Sequence, residues 1–449
     1  MKIESFRTPG LGDQTYLMIH EGSAVLVDPQ RDIDRFLAVA EAADVQVRFI
    51  LETHLHNDYI SGGVDAARRT GAELVLPAAA APAYDHTAAY HLEDLEGPGF
   101  GIRPIHTPGH TPEHTSYVVL IDDAPVAVFS GGSLLVGSAG RPDLLGMARA
   151  RSLGKLQHRS VNRLAELPDA VELLPTHGAG SFCTISGAGQ YTSTIGEEKV
   201  SNPVLQTESP EALADLLLAQ PMPVPAFYRY MGPSNTFGVP ERRTDGVPAM
   251  TVAALQTLPA DTAVVDIRPR AEQAAGYLEG SLTVELTDDF GSWTAWLTEH
   301  LAGHDAPLVL VARSGDEESV REAATQLAQV GMDDLRGVIT DLTDAALATF
   351  SLVDVDQARA LLDDGAQVLD VRQPNEHADT PLGGAVERFL PDLAEHGTPA
   401  AIDTSAPVLI VCGSGRRASI AASLVARDGH RPIVLSGAGA PDLEPATTS

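Results

Sequence analysis

Thr53-His54-Leu55-His56-Asn57-Asp58 is the stretch on which the reading of this chain turns. Two imidazoles and a carboxylate alternate there, directly after the apolar run Val45 to Leu51. That run reads as a buried strand. The three side chains then fall on the loop at its C-terminal end, where a rigid sheet holds functional groups still. Imidazole is the commonest protein ligand for transition metals, so the first expectation is a metal site. A pair of surface histidines with no ligand is the bland alternative. Two further segments weigh against it. Thr107-Pro108-Gly109-His110 and Pro175-Thr176-His177-Gly178 each place a histidine just past a strand-like segment. Three strand-end histidine sites in one region point to a shared pocket.

The bulk properties bound the rest. At 449 residues the chain exceeds one core, and two to four domains are expected. The formal charge of -31 is spread along the chain, which argues against nucleic acid and anionic membranes as partners. Met1-Lys2-Ile3-Glu4 leads into polar sequence without a secretory pattern, and no apolar run approaches the ~20 residues that span a bilayer. Two cysteines exclude a disulfide framework and suggest a cytoplasmic chain.

Residues 1 to about 215 alternate strand-like and helix-like segments. Val25 to Val27, Phe49 to Leu51, Glu73 to Leu76, Ser116 to Ile121 and Val126 to Phe129 have β character. Arg35 to Ala43 and Met147 to Glu166 have helical spacing. An αββα sandwich fits. Residues 219–248, rich in Pro and Gly, read as an extended connector whose aromatics (Phe227, Tyr228, Tyr230, Phe237) pack on a domain. The remainder holds an internal repeat. Val264-Val265-Asp266-Ile267-Arg268 recurs as Val368-Leu369-Asp370-Val371-Arg372, and Leu308 to Ala312 recurs as Val408 to Cys412, a period of about 100 residues.

The His54-x-His56-x-Asp58 element, the later Thr-Pro-Gly-His110 and the Thr-His177-Gly resemble the metallo-β-lactamase fold. Ala24-Val25-Leu26-Val27-Asp28-Pro29, Gly140-Arg141-Pro142-Asp143 and Thr176-His177-Gly178-Ala179-Gly180-Ser181 resemble its persulfide dioxygenase branch, in particular members fused to rhodanese domains. The resemblance implies an α/β chain: a metallo-β-lactamase sandwich (1–218), the connector (219–248), and two rhodanese-like domains (249–347 and 348–449). It further implies a low-molecular-weight persulfide or thiol as partner, sulfite and thiosulfate as coupled products, and a homo-oligomer.

Cys412-Gly413-Ser414-Gly415-Arg416-Arg417 joins the strand Val408 to Val411 to a helix with Ile420, Ala421, Leu424 and Val425 at 3–4 spacing. A thiol over a helix N-terminus, beside two arginines, is favoured as thiolate. The glycines let the loop curl so that N–H groups converge on the sulfur. A strand-end cysteine is otherwise most often a small buried apolar residue. The loop resembles the rhodanese active site, which assigns Cys412 as nucleophile, Arg417 as the loop-closing arginine and Arg416 as a substrate anion contact. The first copy has Ala312-Arg313-Ser314-Gly315-Asp316-Glu317-Glu318 instead, with no thiol and reversed charge. It is expected to be structural or substrate-gating. In the second copy Asp379 to Gly384 and Ser436 to Gly439 match the family only loosely, which suggests weakened activity.

The resemblance implies one Fe(II) held by two histidines, matching His54 and His110, and one aspartate. Gly132, in Phe129-Ser130-Gly131-Gly132-Ser133, stands where that aspartate belongs. Tyr59 stands where dinuclear relatives have a histidine, which speaks against a dinuclear zinc hydrolase. Three routes stay open. His54, His56 and His110 form a three-histidine site of the kind zinc accepts. Asp58 or Glu113 replaces the missing carboxylate. Or the domain binds no metal and keeps a persulfide-shaped pocket. His177 is a further ligand candidate. Cys183 reads as a buried structural thiol, with a sulfur relay as the alternative. The leading expectation is a sulfurtransferase with a persulfide-binding or persulfide-oxidising domain. A metal-dependent thioester hydrolase and a non-catalytic persulfide-binding or docking protein are the alternatives.

Overall fold

Side chains alternate along the N-terminal strands, and both alternating sets are buried. Tyr16, Met18, Val25, Val27, Phe49 and Leu51 belong to one apolar cluster, and Leu17, Ala24, Leu26 and Ile50 to another. Strands buried on both faces need cover on both. The structure, a computed structural model, describes residues 1–184, 190–219, 222–242 and 246–443. The chain divides into two compact units, the first spanning Met1–Arg242 with Ala328–Gly331 and the second taking the rest.

The first unit contains two six-stranded sheets. One has the order β1-β2-β3-β4-β5-β6 (Lys2–Thr8, Asp13–His20, Ser23–Val27, Gln46–Leu51, Glu73–Pro77, Thr87–Ala89). The other has the order β12-β11-β10-β9-β8-β7. In chain order its strands are β7 Leu95–Gly97, β8 Phe100–His106, β9 Thr115–Ile121, β10 Ala124–Gly131, β11 Glu172–Pro175 and β12 Ser193–Thr194. Phe100, Ile102, Tyr117, Val119 and Phe129 of the second sheet join Tyr16 and Phe49 of the first, so the main core lies between the sheets. Phe36 and Ala40 of α1 (Asp34–Ala42) and Ala66 of α2 (Gly63–Thr70) cover the first sheet. Val161 and Leu164 of α3 (Met147–Ala165), Ile195 of α4 (Ile195–Ser201) and Leu213 and Leu217 of α5 (Pro210–Leu218) cover the second. The result is the expected αββα sandwich.

The expectation of an extended connector is corrected. Its described residues include α6 (Tyr228–Phe237), which carries Pro233 in its interior. Pro and Gly disfavour a helix there, but tertiary hydrogen bonds outweigh propensity. Asn235 donates to the backbone oxygens of His56 and Tyr59 and accepts from the Ser61 N–H. Phe227 and Tyr228 are buried, whereas Phe237 is exposed. Positions 220–221 and 243–245 of that stretch, and 444–449 of the expected last domain, lie outside the described residues.

The second unit contains two five-stranded sheets of the same design. The first is β13-β18-β17-β14-β16, with β13 Ala249–Met250, β14 Ala263–Asp266, β16 Leu282–Thr283, β17 Leu308–Val311 and β18 Leu335–Ile339. β15 (Tyr277–Leu278) and β19 (Leu347–Ala348) form a separate ribbon. The second is β20-β24-β23-β21-β22, with β20 Ser351–Val353, β21 Gln367–Asp370, β22 Val386–Glu387, β23 Val408–Val411 and β24 Pro432–Leu435. Strand pairs within both sheets are parallel. Asp266 pairs with Val311 as Asp370 pairs with Val411, so Ala312 and Cys412 leave their sheets at equivalent points. Among the described residues no helix is long and apolar enough to cross a membrane.

Candidate metal centre and candidate thiol site

The strand ends of the first unit deliver a group of buried imidazoles. His54 follows β4, His110 follows β8 and His177 follows β11. One ligand nitrogen from each lies within 4.8 Å of the others. The hydrogen bonds decide which nitrogens face inward. Thr53 donates its hydroxyl to Asp28 Oδ2 (2.7 Å) and so accepts from His54 Nδ1 (2.9 Å). His110 Nδ1 donates to the Arg141 carbonyl (2.9 Å). His177 Nδ1 donates to Asp13 Oδ1 (2.8 Å). With every Nδ1 engaged, the Nε2 atoms are left for each other. His54 Nε2 and His177 Nε2 lie 3.3 Å apart, and buried His110 Nε2 has no hydrogen-bond partner among the described residues. Such outer partners orient metal-binding imidazoles and set their tautomers.

Two imidazole nitrogens so close require a cation between them, either a proton or a metal. Burial pushes the His177 imidazole down, but the Asp58 and Asp13 carboxylates outweigh it and raise it to about 10. Burial and then the charge of His177 push His110 down to about 3. Burial and the neighbouring imidazoles hold His54 well below its ordinary value. His54 and His110 are thus held neutral, with their Nε2 lone pairs directed inward, and a metal would take the place of the proton between His54 and His177. Three inward nitrogens fit a divalent metal of the zinc type.

The other expected ligands are placed differently. His56 turns to the opposite side, with Nε2 3.2 Å from Asp28 Oδ1, 3.4 Å from Glu52 Oε2 and 3.0 Å from the Tyr59 hydroxyl. It stays within ligand range of Asp58 and His177 in a second buried group, and of Asp28 and Glu52 in a third. Asp58 lies against the Nδ1 side of His177 (3.3 Å) and accepts from the Cys183 thiol (3.3 Å). Burial pushes that thiol well up, so Cys183 is a closed, protonated side chain. Glu113 accepts from the Leu55 N–H (3.1 Å) and is absent from all three groups. Gly132 is not a vacancy. A Cβ at this position would overlap the His110 ring, so the imidazole itself occupies the room a carboxylate would need.

Two residues escaped the sequence reading. His114 stacks on His54 (5.0 Å between centroids) and uses both nitrogens, one on Thr107 Oγ1 and one on the Gly132 N–H (2.9 Å each). Its spacing of four from His110 was the available signal. Asp13, at the start of β2, orients His177 and left no motif. Beside the cluster opens a pocket of about 450 Å³, lined by Leu55, Asn57, Glu113, Arg149, Arg229 and Phe237 among others. Leu55 and Asn57 alternate with the histidines, so one loop serves both.

In the second unit Cys412 is buried at the end of β23, and the Gly415 N–H donates to its sulfur (3.1 Å). Gly415, at φ +85°, caps the helix Arg416–Arg427. Arg417 closes the loop by a forked pair to Glu376 (2.5 and 2.7 Å). Arg416 is half exposed and lies 3.6 Å from Asp289 of the first repeat.

Comparisons with known proteins agree with this architecture. Residues 9–177 match the metallo-beta-lactamase superfamily, and residues 354–439 match the rhodanese-like domain. A probable metallo-hydrolase of Burkholderia pseudomallei is 30% identical over 242 residues, which is 45% of this chain and 80% of the relative. The chain belongs to the metallo-β-lactamase superfamily. Within it, a hydroxyacylglutathione hydrolase of Acidiphilium cryptum is 31% identical over 242 residues, 48% of this chain and 94% of the relative. A crystal structure of a metallo-β-lactamase from Staphylococcus aureus superposes with a TM-score of 0.67 at 26% identity, covering 76% of this chain and 99% of that one. The rhodanese-like match falls on the second repeat, which carries Cys412.

Proposed function

We propose that this chain is a sulfur-handling enzyme in which Cys412 transfers sulfane sulfur and the N-terminal centre, with metal bound, acts on a low-molecular-weight persulfide. The observation that carries the reading is the Gly415 N–H on the Cys412 sulfur, at the N-terminus of a helix and inside a loop closed by Arg417 and Glu376. Thiolate is the nucleophilic form of cysteine, and here an N–H donor and a helix N-terminus meet the sulfur. The Cys412 thiolate attacks the sulfane sulfur of the donor. The donor S–S bond breaks, its electron pair leaves with sulfite or a thiolate, and a Cys412 persulfide forms. An acceptor nucleophile takes the outer sulfur and returns the Cys412 thiolate. Thiosulfate-to-cyanide transfer tests this: Cys412→Ser should give no thiocyanate above background, and wild-type rates in that variant would overturn the reading.

In the N-terminal domain His54, His110 and His177 would hold the metal. A bound divalent metal supplies a Lewis-acid centre, and iron would add the capacity to bind O2. Asp13, Thr53 and the Arg141 carbonyl aim the three rings, and Leu55, Asn57 and Glu113 wall the adjoining pocket. A second reading is thioester hydrolysis. Three imidazoles without the carboxylate at Gly132 suit zinc better than iron, and the relatives called hydroxyacylglutathione hydrolase favour it. Oxygen uptake with glutathione persulfide and thiol release from a glutathione thioester separate the two, each against a His54→Ala control. Uptake above control supports oxidation; thiol release alone supports hydrolysis. Metal content should fall about 10-fold or more in His177→Ala. Unchanged content in that variant would remove His177 from the centre.

A further inference from the structure

The first repeat has no thiol, yet it touches the thiol loop of the second on both sides of Gly415. Arg270 Nη1 donates to the Ser414 carbonyl (3.4 Å), and Asp289 faces Arg416 (3.6 Å). The helix behind the loop is fastened from the same side. Thr283 Oγ1 donates to the Ser419 carbonyl (2.8 Å), and Arg427 donates to the Gly280 carbonyl (2.6 Å). Arg270 is itself clamped: its Nε donates to Glu285 Oε2 (2.8 Å) and its backbone N–H to Glu285 Oε1 (3.3 Å).

The Ser414 carbonyl and the Gly415 N–H belong to one peptide group. Arg270 donates to its oxygen, and its N–H donates to the Cys412 sulfur (3.1 Å). A cation on the oxygen of an amide polarises its N–H, and hydrogen bonds in series strengthen one another. The approach is close enough to constrain the sequence. A Cβ at Gly415 would stand 3.0 Å from Arg270 Nη1 and 2.8 Å from the Leu435 carbonyl, besides the φ of +85°. We infer that Arg270 of the first repeat is a positioning residue for sulfur transfer, holding and polarising the Ser414–Gly415 peptide so that its N–H stabilises an anionic sulfur on Cys412.

The thiol-less repeat thereby acts on the chemistry through a single peptide group, a more specific task than scaffolding. Charged groups from both repeats bear on the loop: Arg416 and Arg417 of its own helix, Glu376 of the helix Pro374–Asp379, and Arg270, Glu285 and Asp289 of the first repeat. Arg417 and Arg416 have carboxylate partners that Arg270→Ala leaves in place, so the substitution isolates the polarised peptide.

The inference rests on the sulfur-transfer reading, and its test is read independently of transfer. Alkylation of Cys412 by iodoacetamide in the full chain, located by peptide mass, is followed against pH. Arg270→Ala should slow alkylation about 3- to 10-fold near pH 7 and move the profile to higher pH, with the full rate recovered in alkali. Arg270→Lys should restore part of it. An unchanged profile, or an equal loss at every pH, would overturn the inference, the latter because it marks a purely structural role. Should Arg270→Ala fail to fold, Glu285→Gln, which frees the arginine without deleting it, should give a smaller shift in the same direction, and no shift there overturns it too. Thiocyanate formation by the wild type, measured beside it, judges the sulfur-transfer reading alone.

Discussion

The two repeats of the second unit share a sheet order and differ in one loop, and that loop shows what the thiol requires. Each holds an Asp–Arg pair at the end of one strand (β14 or β21), Asp266 with Arg268 and Asp370 with Arg372, both at 2.6 Å. Each holds a glutamate on the next helix, Glu272 or Glu376, paired with an arginine from the segment that follows β17 or β23. The arginine has moved. In the first repeat it is Arg313, the second loop residue; in the second it is Arg417, on the helix. Gly413 then stands at the position of Arg313, and a Cβ there would come 3.2 Å from Arg417 Nη2. The helix starts differ in sign as well. Glu317 and Glu318 open the first helix and suit its dipole, whereas Arg416 and Arg417 open the second and oppose it. The thiol-less repeat has the better helix start. The thiol-bearing one accepts a worse start and gains cations around a sulfur.

The largest effect expected from this contrast concerns the thiol itself. Moving it, as Ala312→Cys in a Cys412→Ser background, should leave sulfur transfer at background, because Arg313 crowds the loop entry and Glu317 replaces the closing arginine. Thiocyanate formation by the double variant would break the comparison. Next in size is the closing pair. Arg417 is 14% exposed, and its replacement by Gln leaves Glu376 half-buried without its cation. A cost of about 1–2 kcal/mol to the C-terminal unit is expected, with sulfur transfer lowered at least 10-fold. Arg313→Gln, at a pair half open to solvent, should move neither unfolding nor transfer measurably. Equal effects at the two arginines in calorimetry and cyanide transfer would show that their location is immaterial.

The sandwich was legible because both its strands and its covering helices follow regular periodicities. Met18, Val25 and Val27 against Leu17, Ala24 and Leu26 is a pattern of period two. α6 was not, since its order comes from Asn235 reaching the backbone of the histidine loop, a contact between residues far apart in sequence. At the metal centre His54 and His110 could be read from strand ends. The choice between His56 and His177 could not. It depends on Asp28 and Glu52 drawing His56 aside and on Asp13 aiming His177, all three set by strand register. Gly132 was legible as a missing carboxylate but not as room taken by His110. Arg270 left no local signal, because its target lies on the other repeat.

The smallest effect separates the two glutamates by pH. Burial pushes the Glu376 carboxyl up, but hydrogen bonds and charge from Arg417 outweigh it and hold it below its ordinary 4.5. Arg313 also lowers Glu272, but Arg313 is half exposed where Arg417 is nearly covered. A carboxyl lowered on folding stabilises the native state fully above its unfolded value and loses that contribution as pH falls through its folded value. Wild type should therefore exceed Glu376→Gln in stability at pH 7, and the gap should close as pH drops below about 4.5 toward the folded value. Glu272→Gln should show almost no gap at any pH in ~0.15 M salt, where exposed pairs are screened. Denaturant titrations of both variants from pH 7 to pH 3 decide it. A Glu376→Gln gap independent of pH would mean that the side chain acts by packing rather than by charge, and the two repeats would then differ in their thiol but not in the electrostatics that surround it.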